Sequence, residues 1–410
     1  MDCIKSTTWQ GLMLGVALAM GCESPPNTPP MIISEDPTDI PIAGVSAELK
    51  QRFLDGDAAF DAVYLEADGL GPNYIRTSCG SCHEGAGKGP GSVQKMVIVQ
   101  GDGVTPASDQ SALAFGHTVR PYYAGGAQMG LLPPSNQSQL KLSLRVGLPV
   151  FGRGYLEAID DREIVRVESE QARRSDGIHG RTNRVVYQSQ PNSDQKYHQY
   201  MPGQTGLIGR FGHKARIATL DDFSADAAQG DMSITSPMRP SELTNPEGKT
   251  DDRKPGPDID LRTINLLADY MRLLAIPHRV GVSEGGPILF DAALCSVCHV
   301  PSLQTRASHP IPELAAKSAP VFTDLLLHDM GTELADGLTD GSATSRQWRT
   351  APLIGLRFFQ SYLHDGRAKT IEDAIVLHDG TGSEAQGSVQ KFRALSQRER
   401  QELIQYVLSL

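Results

Sequence analysis

Two stretches of this sequence carry the same pattern of reactive side chains. One is Cys79-Gly80-Ser81-Cys82-His83, and the other is Cys295-Ser296-Val297-Cys298-His299. In a Cys-x-x-Cys-His segment both thiols can bond to the vinyl groups along one porphyrin edge, and the following imidazole swings under the ring to reach the iron. The pattern predicts two covalently attached c-type haems. Cys79, Cys82, Cys295 and Cys298 hold them, with His83 and His299 as proximal iron ligands. Other readings fit less well. A redox Cys-x-x-Cys needs no histidine behind it. A zinc site would have to join two pairs lying in opposite halves of the chain, and disulfide frameworks belong to much smaller secreted chains.

The other two of the six cysteines, Cys3 and Cys22, lie in an N-terminal address. Lys5 precedes an apolar run from Leu12 to Met20, which is too short for the ~20 residues of a membrane-spanning helix. Ala19-Met20-Gly21-Cys22 then resembles a bacterial lipoprotein signal, except that Ala19 stands where Leu is usual. Residues 1–22 therefore read as a lipoprotein-type signal, with Cys22 as the lipidated residue. Cleavage without lipidation and an uncleaved anchor are the alternatives. Residues 23–45 contain Pro25, Pro26, Pro29, Pro30, Pro37 and Pro41 and read as an extended tether. Export suits the haem motifs, because c-type haem is attached outside the bacterial cytoplasm. The expected location is the periplasmic side of a membrane, lipid-anchored, at the outer membrane.

The chain has 410 residues and a formal net charge of -10. Its length suggests two or three domains at roughly 100–200 residues each. The acidic balance, without a Lys/Arg cluster, excludes a nucleic-acid partner. Gly (41) and Pro (27) are plentiful and predict many loops and short elements.

Each haem motif sits in a similar frame. Gly56 and Phe60 precede the first within a helical stretch from Lys50 to Leu65, and Gly286 and Phe290 precede the second. An amphipathic helix closes each half, near Thr263 to Ala275 and near Gln397 to Leu410. Ser396 with Glu399 makes a capping box for the last. The expected fold class is mainly α, with two cytochrome-c-like haem domains at 46–280 and 281–410. The first is enlarged by a loop-rich insertion. Within it Leu140, Leu142, Leu144 and Val146 alternate with polar residues as in a strand, and Val185-Val186-Tyr187 suggests another.

Several segments resemble one family: Leu144 to Asp160 (LRVGLPVFGRGYLEAID), Gly209 to Ala215 (GRFGHKA), Asp231 to Ser236 (DMSITS), Thr323 to Gly331 (TDLLLHDMG), Trp348 to Leu353 (WRTAPL) and Tyr362 to Arg367 (YLHDGR). Together they resemble the di-haem oxidoreductases labelled thiol-oxidoreductase-like, which are related to bacterial di-haem cytochrome c peroxidases. The resemblance implies a peroxidase-like enzyme. An external redox donor, a protein or a small carrier, would supply electrons through a six-coordinate C-terminal haem. Hydrogen peroxide or another small oxidant would react at the N-terminal haem.

The resemblance also implies roles for single residues. His378 stands where the peroxidases place the sixth ligand of the C-terminal haem, predicting bis-His ligation with His299. Asp231, followed by Met232, and Glu157 are candidates for the proton-transfer group that peroxide cleavage needs. Arg349 and Arg367 could pair with haem propionates. His213 falls where the peroxidases have a motif near the N-terminal haem, and His328 and His364 are candidate supporting groups. A bridging calcium is allowed by the resemblance, with no ligand run to identify it. The chain departs from the peroxidases at Val99, where some hold a removable histidine. It also departs in its single mature tryptophan, Trp348, which belongs to the C-terminal half. Two further readings stay open: a non-catalytic electron-transfer lipoprotein, and an enzyme acting on a protein or thiol substrate.

Overall fold

Helix starts are set by side-chain caps. Ser46 Oγ accepts from the Leu49 amide, Asp260 Oδ1 from the Thr263 amide at 2.8 Å, and Ser396 with Glu399 forms the expected capping box. The computed structural model describes residues 33–34, 40–84, 92–124, 130–245, 248, 254–281 and 283–410. The expected signal with Cys22, and most of the expected tether, lie outside the described residues. The α-helices are α1 (Ala47–Asp61), α2 (Arg153–Ala158), α3 (Asp161–Gln171), α4 (Leu220–Met232), α5 (Leu261–Leu273), α6 (Gly286–Ala292), α7 (Cys295–Cys298), α8 (Ile371–Val376), α9 (Gln386–Ala394) and α10 (Gln397–Ser409). The fold is helix-rich with only small sheets, each of two strands among the described residues. No helix there is long and apolar enough to cross a membrane.

The two halves are built on the same helix crossing. α1 buries Phe53, Gly56 and Phe60, a stripe at helical spacing, against α5. A Cβ at Gly56 would collide with the Leu266 carbonyl oxygen and lie 2.9 Å from Tyr270 Cβ. The missing side chain lets the helices close until the Phe60 and Tyr270 ring centroids are 4.9 Å apart. In the second half, a Cβ at Gly286 on α6 would collide with Tyr406 on α10, and the Phe290 and Tyr406 rings lie 5.6 Å apart. The described residues from 33 onward form one compact unit. Its largest core joins Phe53, Phe60 and Tyr270 to Leu303, Leu325 and Ile354.

The region between α1 and α5 is more helical than its turn-rich composition suggests. α3 is capped by Asp160 and buries Ile164 and Val167, while α4 is capped by Thr219. The alternation from Leu140 to Val146 does form a strand, antiparallel to Ser92–Ile98. Its covered side is the polar one. Leu142 and Leu144 are exposed, whereas Arg145 is buried with Nε 2.9 Å from Asp336 Oδ2 and Nη1 3.0 Å from Asp340 Oδ2. The second expected strand is shorter, Arg184–Val185 pairing with Leu207–Ile208.

Gly230, in α4, has nothing within 4 Å of an added Cβ. Denaturant unfolding should show Gly230→Ala stabilising by about 0.5–1 kcal/mol. Gly56→Ala should destabilise by about 1–3 kcal/mol through overpacking. Equal effects would mean that the α1 and α5 crossing is not close.

Candidate functional site

The two Cys-x-x-Cys-His segments have the same local geometry. The His83 amide donates to the Cys79 carbonyl at 2.9 Å, and the His299 amide donates to the Cys295 carbonyl at 2.9 Å. Each segment is thus one helical turn, and none of the four thiols is in a disulfide. Each also meets the phenylalanine of its helix crossing. The Phe60 ring lies 6.0 Å from His83, and Phe290 shares a cavity wall with Cys295, Cys298 and His299.

That cavity, of about 250 Å³, also takes in His378 from the turn after α8. His299 Nδ1 donates to the Phe322 carbonyl at 3.2 Å, and His378 Nδ1 to the Ala374 carbonyl at 2.6 Å. Each ring therefore keeps Nε2 for a metal. Burial, with His378 nearby, pushes the His299 pKa down to about 4, and burial lowers that of His378. Both are neutral at pH 7, the form that binds iron. Two thiols spaced for one porphyrin edge and two neutral imidazoles fit a haem c at this cavity.

Arg349 lines the same cavity, buried, with Nε donating to the Gly212 carbonyl at 3.1 Å and Nη1 to the Thr350 carbonyl at 3.0 Å. Arg367 does not. It is exposed, bound to Asp365 Oδ2 at 2.5 Å and to the Glu333 carbonyl at 2.8 Å, so the structure places it outside the wall of this cavity. A second cavity arginine, Arg153, was missed. It opens α2, and its position within Gly152-Arg153-Gly154 was the available signal. Burial and then Arg349 lower the Arg153 pKa to about 9.

His213 is also placed differently from expectation. It lies in the wall of the C-terminal cavity, with a ring nitrogen 2.9 Å from the Val146 carbonyl. Trp348 and His364 line this cavity too, stacked with centroids 3.7 Å apart, and Lys214 Nζ is 3.8 Å from the indole centroid. His328 stands behind Cys298, its ring nitrogens 2.9 Å from Asp324 Oδ2 and 2.7 Å from Glu384 Oε2. Among the described residues, Cys298, Asp324 and His328 bring their ligand atoms close enough to share a metal. Calcium takes an all-oxygen set, which this is not.

Near the first motif, Asp231 lies in the last turn of α4. Its carbonyl accepts from the Ile75 amide at 2.7 Å, and its charge reaches Cys79. Burial raises the Asp231 pKa and Asp226 adds to this, against Lys95, Arg216 and Arg120. Its environment thus favours the protonated form more than that of an ordinary carboxyl group. Glu157 has the opposite environment. Arg272 Nε lies 2.5 Å from Oε2, and the Leu220 amide donates to Oε1 at 2.9 Å. Burial would raise its pKa, but Arg272 and the Leu220 amide hold it below the ordinary value. A locked, ionised carboxylate is a poor proton donor, so the expected catalytic role of Glu157 is replaced by a structural one.

The family model described as "Di-haem oxidoreductase, putative peroxidase" matches residues 135–410. The chain belongs to this di-haem oxidoreductase family. The matched span holds the second haem motif, His378 and Asp231, and the first motif precedes it. No curated protein matches the chain significantly. Among solved structures, it is similar to hydrazine synthase of Kuenenia stuttgartiensis, at 15% identity over 100% of both chains with a TM-score of 0.39.

In this di-haem oxidoreductase, Glu157→Gln should lower stability at pH 7 by about 3 kcal/mol or more, since it leaves Arg272 buried without full compensation. The ion pair contributes fully above the unfolded carboxyl pKa of about 4.3 and is lost as pH falls through the lower folded value, so the gap between variant and parent should narrow in acid. Unfolding curves at pH 7 and in acid check this. A variant as stable as the parent at pH 7 contradicts it.

Proposed function

We propose that this protein is an exported, peroxidase-like di-haem c oxidoreductase. It takes electrons from an external donor at the C-terminal site and delivers them to an oxidant at the N-terminal site. The observation that carries the reading is the difference between the two motifs. His299 shares its cavity with a second neutral imidazole, His378, whereas the first motif has acidic neighbours, Asp61 against Gly80 and Asp231, whose carbonyl accepts from the Ile75 amide. The paired imidazoles suit a closed electron-relay centre, and the acidic neighbours suit a reactive one.

When bound, haem iron supplies one-electron transfer and, at an open position, activates peroxide. The protein's own groups divide the remaining work. Cys79 and Cys82, and Cys295 and Cys298, form the covalent links in two cytochrome-c-like frames. His83 and His299 bind on the proximal sides. His378 would serve with His299 to hold the C-terminal haem, and His in place of Met would lower its potential. Asp231 moves a proton through its carboxyl oxygen at the N-terminal site. Hydrogen peroxide or another small oxidant is the expected substrate, and a redox protein or small carrier the donor. Lipid attachment at Cys22 would hold the protein at the periplasmic face of the outer membrane.

Electron paramagnetic resonance of the oxidised holoprotein should show one high-spin and one low-spin haem, with peroxide altering only the high-spin signal. His378→Ala should convert the low-spin haem to high-spin. Asp231→Asn should keep the parent spectrum and lose about 10²–10⁴-fold in peroxide turnover. Two low-spin haems inert to peroxide, even after partial reduction, would replace the enzyme with an electron carrier.

A further inference from the structure

Arg153 and Arg349 both line the C-terminal cavity, 5% exposed each, and neither forms an ion pair with a carboxylate among the described residues. Arg349 meets only carbonyls, those of Gly212 and Thr350. Arg153 Nε donates to the Pro149 carbonyl at 2.5 Å, and its buried Nη2 has no hydrogen-bond partner. Asp324, the acid whose charge reaches Arg349, is already engaged by His328 and Gln171. Other buried arginines, Arg120 excepted, are compensated by carboxylates. Arg272 is paired with Glu157 and Asp269, and Arg145 with Asp336 and Asp340.

Two neighbouring buried cations without a counter-charge are unfavourable in the protein alone. Burial lowers the pKa of both, to about 9 for Arg153 and about 10 for Arg349, and each stays charged at pH 7. A ligand bearing two carboxylates would reverse the balance, since a guanidinium fork matches a carboxylate bidentately. Much of the cavity wall is apolar, including Leu148, Leu353, Leu356 and Val389, as a flat macrocycle requires.

We propose that Arg153 and Arg349 together clamp the two propionate carboxylates of the haem attached at Cys295 and Cys298. The proposal rests on the di-haem reading above. The clamp fixes the orientation of the ring, and its positive charge favours the reduced iron. Arg153 is thus a cofactor-positioning residue that was not among the arginines picked from the sequence.

The test uses the matured holoprotein, with haem content from the pyridine haemochrome and midpoint potentials from spectroelectrochemistry. Arg153→Met should retain two haems and shift the low-spin haem to lower potential, leaving the other haem unchanged. Arg153→Lys keeps the charge and should restore most of the potential. The lysine variant should also shift the propionate bending band in resonance Raman spectra, because the fork is lost. That second readout decides the matter if the methionine variant fails to mature. Fewer than two haems in the parent would overturn the di-haem reading itself. Two haems with an unchanged potential in Arg153→Met, or an unchanged propionate band in Arg153→Lys, would overturn the clamp. A potential shift that depends on added acetate would assign the arginines to a free carboxylate and would also overturn it.

Discussion

Both halves of the molecule depend on a helix crossing that only glycine permits. At Gly56 and Gly286 the facing helix comes so close that a methyl group would overlap it. The closeness sets an aromatic pair on each crossing, Phe60 with Tyr270 and Phe290 with Tyr406. Each phenylalanine in turn meets its haem motif, at the His83 ring in one half and in the cavity wall beside Cys295 in the other. The chemistry of the motifs thus rests on a packing constraint that is repeated although the connecting chain is not. The first half reaches its closing helix only after α2, α3 and α4, the second after α8 and α9.

Burial then assigns different tasks to similar residues. Burial keeps His299 and His378 neutral, the form able to bind iron, whereas His328 is enclosed by two carboxylates and supports the wall behind Cys298. Glu157 and Asp231 are both acidic groups in family-like segments. Arg272 keeps the first ionised, and the crowded surroundings of the second favour its proton. Two arginines of the C-terminal cavity keep no acidic partner, which is the arrangement a carboxylate-bearing cofactor would complete.

Local chemistry was legible in the sequence, and tertiary placement was not. The haem motifs, the capping box at Ser396 and the strand from Leu140 to Val146 follow from spacing over a few residues, and the structure has all three elements. The alternation in that strand told which residues share a side but not which side is covered, because Asp336 and Asp340 arrive from far along the chain to hold Arg145. Arg367 and Arg153 could not be separated by type alone, since only the fold pairs one with Asp365 at the surface and places the other in the cavity wall. His213 was assigned to the wrong half for the same reason: its neighbours, Val146 and Trp348, come from distant segments.

Two matching frames that each hold one covalently attached haem would give the matured chain a distinct mass. Intact-protein mass spectrometry of the matured chain under denaturing conditions tests it most directly, because only covalent attachment survives. The expected result is a mass increase of two haems, falling to one when either Cys79 and Cys82 or Cys295 and Cys298 are replaced by alanine. An unmodified polypeptide mass, or a single haem that survives the loss of one pair, would contradict it.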